Sequence, residues 1–173
     1  MQFHINKFIF ISTIQFHNSK TYTHLNKKVK AIVLNKGSHT RLIQYLNNQK
    51  TNIEILQKKE KKLVKNIRQI RYVWLETSVY TKITFARSLW TIVNNKKPIK
   101  ELKITIPIGH LLIKNKADIN KTMYEIYFCY CKDLEKKLRL RGEIWGRKYM
   151  ISQKNNISIL IQEFFSPSIM FFN

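Results

Sequence analysis

Apolar positions along the chain switch from a helical to a strand-like spacing about a quarter of the way in. Leu25, Val29, Ile32 and Val33 recur at helical intervals, and Gly37 is expected to stop that helix. Ser38 or Thr40 is placed to cap a second helix carrying Leu42, Ile43, Tyr45 and Leu46. Two short helices around a Gly-Ser turn predict a helical hairpin. After Lys50 the period becomes two, because Ile53 and Ile55 alternate with Asn52 and Glu54 as in a short strand. The Lys-Lys-Glu-Lys-Lys run at 58–62 reads as a solvated loop. Leu63, Ile67 and Ile70 also suit a helix over 53–70.

From Arg71 onward β-branched and aromatic residues dominate. Residues 71–92 predict a hairpin with a polar break near 80–82, and 123–131, 145–152 and 157–165 predict three more strands. Asn155-Asn156 supplies turn chemistry between the last two, and 106–112 begins a short helix or turn. The count is about six strands and three or four helices, grouped rather than alternating, which predicts an α+β fold with a single antiparallel sheet. No repeat or Pro/Gly/Ser linker marks a boundary. Residues 1–20 therefore read as a peripheral arm and 21–173 as one domain, long enough to bury a core.

Charge changes this picture less than its size suggests. The net charge is +22, from 25 Lys and seven Arg. Lys, Asn and Ile are what AT-rich coding produces, so the first expectation is an organelle-encoded chain; the functional alternative is binding to nucleic acid or an anionic membrane. Cys129 and Cys131 are the only cysteines, too close in sequence for an easy disulfide and without other ligands at zinc spacing. No apolar run approaches the roughly 18 residues that cross a bilayer. Phe8-Ile9-Phe10-Ile11 is too short for a secretory core, and the first 20 residues lack the Arg of a transit peptide. The expectation is a soluble protein made in the organelle. No Gly-rich phosphate loop, nucleophile elbow or zinc motif is present.

Some charges fall on apolar faces. Strand alternation places Arg71 with Val73 and Leu75, Arg87 with Ile83, Phe85 and Leu89, and Glu163 with Ile157, Ile159, Ile161 and Phe165. Stranding one buried charge without its partner costs about 3–5 kcal/mol. Two Arg against one Glu leave a surplus that suits a carboxylate ligand, which a planar guanidinium grips with two parallel bonds. An ordinary internal Arg–Glu bridge would satisfy the same pattern. Desolvation would raise the Glu163 pKa toward proton handling near neutrality, whereas a close Arg would lower it. His39 and His110 read as loop or surface residues, and His4, His17 and His24 belong to no constellation. Trp145-Gly146-Arg147-Lys148 has the stacking and charge of a weak nucleic-acid motif.

Five segments in order resemble successive motifs of the chorismate–pyruvate lyases. They are Arg71-Tyr-Val-Trp-Leu, Phe85-Ala-Arg87-Ser-Leu, Ile106-Pro-Ile-Gly-His, Ile144-Trp-Gly-Arg-Lys and Leu160-Ile-Gln-Glu163-Phe-Phe-Ser-Pro167. Gly37-Ser38-His39-Thr40-Arg41-Leu42 extends the likeness toward the N-terminus, and it runs to the uncharacterised plastid-encoded branch of that family. The resemblance implies helical flaps over a buried site and a lyase that splits chorismate into 4-hydroxybenzoate and pyruvate for quinone synthesis. It implies neither cofactor nor metal, because elimination makes the ring aromatic. By the same resemblance Arg71 holds the ring carboxylate, the backbone of Ile108 assists, and Glu163 meets the ring hydroxyl, so Arg71 and Glu163 carry catalysis. His39 takes a flap position where these enzymes usually carry Met, and Arg87 is a further candidate for binding substrate. The loop near Tyr80 is about one residue longer than in the family, and 132–142 is longer and more basic. Two other functions stay open: a non-catalytic binder of a small aromatic acid, and a basic RNA- or ribosome-associated plastid protein.

Overall fold

Two three-stranded meanders meet along their last strands. The computed structural model describes residues 9–15, 26–63, 66–78, 81–93, 119–153 and 157–171. The first meander is β2 (Asn52–Lys62), β3 (Asn66–Ser78) and β4 (Thr81–Val93); the second is β5 (Ile119–Tyr130), β6 (Ile144–Gln153) and β7 (Ile157–Phe165). β7 pairs with β4, and β1 (Ile9–Gln15) adds to the outer side of β5. The result is one antiparallel seven-stranded sheet in the order β1-β5-β6-β7-β4-β3-β2. Among the described residues three α-helices pack on it: α1 (Lys27–Val33), α2 (His39–Asn47) and α3 (Lys132–Leu138). This is the α+β arrangement expected from the grouping of elements, with β1 as the additional strand. The 106–112 segment and Asn155-Asn156 lie outside the described residues.

Two local expectations change. Residues 58–62 are not a loop, since β2 continues through them and pairs Lys58 with Arg71 and Lys62 with Ile67. The pairing also excludes a helix over 53–70. Among the described residues β2 is an edge strand, and Glu60 and Lys61 within the run are exposed, as charge on such an edge is expected to be. The first helix ends at Val33, short of Gly37. Asn26 caps its start by accepting from the Lys28 amide at 2.9 Å, while the carbonyls at its far end are taken by Arg147, a residue remote in sequence. A glycine stop is unnecessary when a buried guanidinium satisfies those carbonyls. Ser38 caps α2 as expected, accepting from the Arg41 amide.

Of the three apolar clusters among the described residues, the sheet separates the two that hold the helices. On one face Val29, Ile32, Val33 and Ile43 from α1 and α2 pack on Ile83, Ile126 and Phe165. On the other, Leu134 and Leu138 of α3 pack on Trp74, Phe85, Tyr127, Ile144 and Phe164. Phe164 and Phe165 are neighbours in β7 that serve opposite faces, as strand alternation requires.

Candidate functional site

The site starts from two small residues. On the α1–α2 face, cross-strand register lines up Arg71 with Ser88 and Ile161, and Val73 with Ala86 and Glu163. Ala86 and Ser88 fill little volume, so a hollow opens over β4 between the larger side chains of β3 and β7. The turn joining α1 to α2 and the start of α2, together residues 36–40, line its far side. Tyr149 and Ile151 of β6 and Ile119 and Lys121 of β5 complete a cavity of about 350 Å³, a size that suits a small organic ligand.

Glu163 is the acidic residue in the lining and is nearly fully buried. Its Oε2 accepts from Arg147 Nε at 2.7 Å, and its Oε1 accepts from the Tyr149 hydroxyl at 2.9 Å. Burial alone would raise its pKa, but the Arg147 charge, followed by those of His39 and Lys121, outweighs it and brings the value to about 2. The proton-handling option raised by desolvation is thereby set aside: Glu163 is a fixed carboxylate at neutral pH.

Arg147 carries the pair into the fold. It is completely buried, and its Nη1 donates to the carbonyls of Ile32 at 3.0 Å, Val33 at 3.3 Å and Asn35 at 2.8 Å. One guanidinium thus ties the site carboxylate to the end of α1 and the α1–α2 turn. The backbone beneath is braced from the other face, where the Tyr127 hydroxyl donates to the Glu163 carbonyl at 2.7 Å. Tyr127 can lie there only because residue 146 is glycine: a Cβ would sit 2.2 Å from its ring and 2.4 Å from the Glu163 carbonyl.

His39, the first residue of α2, is buried against Phe165 with ring centroids 4.8 Å apart, and its Nε2 shares a hydrogen bond of 2.9 Å with the Thr84 hydroxyl. Burial lowers its pKa to about 4, more than the Glu163 charge can offset, so the ring is neutral at pH 7. Its Nδ1 has no hydrogen-bond partner among the described residues. Arg71 is buried in the cavity wall, and desolvation lowers its pKa to about 10, leaving it cationic. Lys121 donates to the carbonyls of Asn35 at 3.1 Å and Gly37 at 3.4 Å, and its ammonium lies 4.3 Å from the Tyr149 ring centroid.

Arg71, Glu163 and His39, chosen from the sequence, thus line one cavity. Arg87 does not join them. A register shift between Leu75 and Glu76 inserts Ile83 as an extra residue in β4, so that Ile83 turns to the α1–α2 cluster while Phe85 packs with α3. Arg87 follows Phe85, is exposed, and bonds to Gln162, while its neighbours Ala86 and Ser88 face the cavity. Ile108 lies outside the described residues. Sequence reading missed Arg147, Tyr149 and Lys121. Arg147 alternates with Tyr149 and Ile151 just as Arg71 does with Val73, so face counting could have found it. Lys121 gives no signal in so Lys-rich a chain.

Among the described residues no group of three or more His, Cys, Asp or Glu could hold a metal ion, and no helix is long and apolar enough to cross a membrane. Cys129 and Cys131 are free and buried in the α3-side cluster; burial pushes the Cys129 thiol up to about 12, away from nucleophilic use.

Comparison with known proteins adds to this geometry. A family model described as chorismate pyruvate-lyase, Rv2949c-like, matches residues 33–173, a span that includes every strand bordering the cavity. The uncharacterised protein ycf21 of Antithamnion sp. is 36% identical over 138 residues, covering 80% of this chain and 77% of the relative. Proteins of the same description from Porphyra purpurea and Pyropia yezoensis are 32% and 30% identical, each over 80% of both chains.

Proposed function

The chain belongs to the Rv2949c-like chorismate pyruvate-lyase family, and from that premise we propose that it converts chorismate to 4-hydroxybenzoate and pyruvate in this cavity. The observation that carries the reading is the juxtaposition of Arg71 and the Arg147-bound Glu163 around a hollow opened by Ala86 and Ser88. Arg71 grips the ring carboxylate through its fork. Glu163, fixed as an anion, accepts from the ring hydroxyl and orients the ring. His39 offers its Nδ1 to the ligand as the polar counterpart of an apolar flap wall.

In the reaction the bond between the ring carbon and the enolpyruvyl oxygen breaks, and the hydroxyl-bearing ring carbon loses its proton. The departing enolpyruvyl group gains a proton at its methylene carbon and becomes pyruvate. No net proton enters or leaves, and the ring's aromatisation drives the step. A carboxylate with a pKa near 2 therefore suits positioning and electrostatic stabilisation rather than acid–base work. The proposed product feeds quinone synthesis, and the proposed location is the plastid, supported by the AT-rich coding pattern and the ycf21 relatives.

Pyruvate release can be followed with a coupled lactate dehydrogenase, and the aromatic product by chromatography. Folded protein that forms neither would refute the lyase reading. A second reading, ligand binding without turnover, is favoured by the engagement of both Glu163 oxygens in the fold itself. Stabilisation by 4-hydroxybenzoate without turnover would single it out.

A further inference from the structure

We propose that Lys121 forms a second anion subsite in this cavity, reading a carboxylate carried on the ring's substituent and so selecting dianionic ring acids over monoanionic ones. The inference rests on the reading of the cavity as a ring-acid site and adds to it the charge class of the ligand.

Lys121 and Arg71 stand on opposite sides of the cavity, since β6, β7 and β4 separate β5 from β3. The Lys121 ammonium has three donors, and two are used by the carbonyls of Asn35 and Gly37. Those acceptors are neutral, so they satisfy hydrogen bonds without cancelling the charge. Among the described residues Lys121 makes no ion pair. The acidic group of the lining, Glu163, has both oxygens occupied, by Arg147 and by Tyr149. A ligand carboxylate can meet the third donor, in a wall whose other members include Ile119 and Ile151. Apolar surroundings strengthen such a contact relative to water. Because the same ammonium grips the α1–α2 turn, a ligand anion there would bridge to that turn through Lys121. A monocarboxylate product lacks that second contact and leaves more readily.

The simpler role is a clamp that merely holds the turn down. A clamp has no charge preference among ligands, which is what the test reads. The probes are 3-(carboxymethoxy)benzoate, a dianion, and 3-methoxybenzoate, a monoanion of similar shape, titrated calorimetrically at pH 7. The wild type should prefer the dianion by about tenfold or more. Lys121→Gln should reduce the preference to about twofold while changing monoanion affinity little, and Lys121→Arg should keep most of it. In the wild type the preference should also fall between pH 7 and 9, because burial, aided by Arg147, lowers the Lys121 pKa to about 8. Glu163, His39, Tyr149 and Arg71 also border the cavity, Arg147 is buried behind Glu163, and all five keep their charge states over most of that range. Lys36 on the turn is shared by wild type and variants.

Equal weakening of both probes by Lys121→Gln would reduce Lys121 to a clamp, and an unchanged preference would assign the second carboxylate elsewhere. If Lys121→Gln fails to fold, a wild-type preference that stays flat from pH 7 to 9 overturns the inference. Equal binding of both probes by the wild type refutes the subsite alone. Failure of both to bind removes the ring-acid reading with it.

Discussion

The two faces of the sheet are made from alternate residues of the same strands, yet one carries an aromatic core under α3, while the other divides between an apolar cluster under α1 and α2 and a chamber that holds a buried ion pair. On the α3 side Trp74, Phe85, Tyr127 and Phe164 interlock, with Trp74 and Phe85 centroids 5.1 Å apart and Tyr127 and Phe164 5.2 Å apart. On the α1–α2 side the adjacent residues of those strands are Val73, Ala86, Ile126 and Glu163, with Arg147 of β6 paired to Ile126. Large side chains on one side provide the dispersion and burial that hold the sheet. Small and charged ones on the other leave room and supply charge. The difference teaches how one layer of strands can supply stability and a site at once: packing under α3 and under α1 and α2 carries the fold, so the strip over β4 can keep a hollow and a desolvated ion pair.

The largest expected effect strikes the ion pair. Arg147→Met strands Glu163 in the interior and removes the donor for three carbonyls, so urea unfolding should show a loss of about 3–5 kcal/mol. Combining it with Glu163→Leu should recover part of that loss, because the second change removes the stranded charge. Phe164→Ala on the aromatic face should cost a similar amount, about 3–5 kcal/mol, through lost packing, but should leave ligand affinity in place. Recovery absent from the double variant would mean that the pair acts through shape rather than charge.

The next effect is confined to the chamber. At about 100 times its dissociation constant, 4-hydroxybenzoate should add roughly 2.7 kcal/mol of stability to the wild type and far less to Arg71→Ala. Thermal melts at matched ligand concentrations read this directly. An equal shift in both proteins would place the carboxylate anchor elsewhere in the cavity.

How much of this was legible in the sequence follows from the range of each signal. Period-two alternation is local, so it put Arg71 and Glu163 on apolar faces and gave most of the strands. It did not place Arg87, because alternation says which residues share a face and not which face it is: Arg87 does lie with Phe85, but on the α3 side, and only Ile83 is switched by the inserted residue. Residues 58–62 misread for a different reason: a charge run marks solvent, and an edge strand can carry charge as readily as a loop. The Arg147 contacts to α1 join residues more than 110 positions apart, and no local pattern encodes such a partner. The helix end it caps was consequently sought at Gly37.

Acid should separate the faces by a smaller amount. The His39 pKa is about 4 in the fold and near 6.5 unfolded. A depressed value means the unfolded chain binds the proton first, so this contribution is present above pH 6.5 and is lost as pH falls toward 4. Between pH 7 and 5 the loss should be about 2 kcal/mol. Glu163, held near 2, is still ionised in that window, and burial raises the Cys129 and Tyr127 values of the aromatic face far above it. His39→Met should therefore flatten unfolding free energy against pH over this range. An undiminished slope in that variant would assign the acid sensitivity to another group.

The smallest effect is the sharpest check on which face is which. Arg87→Ala removes an exposed side chain that bonds to Gln162 on the side away from the cavity. Exposed polar contacts of this kind contribute about 0–1 kcal/mol, so stability should hardly move. The 4-hydroxybenzoate-induced rise in melting temperature should equal that of the wild type. One residue away the outcome reverses: Ala86→Leu should fill the hollow between Val73 and Glu163 and abolish the ligand shift, even though it leaves every charge in place. The contrast depends only on the frame of β4. Loss of the shift in Arg87→Ala, with its retention in Ala86→Leu, would mean that β4 presents its other edge to the ligand and that the chamber lies on the α3 side.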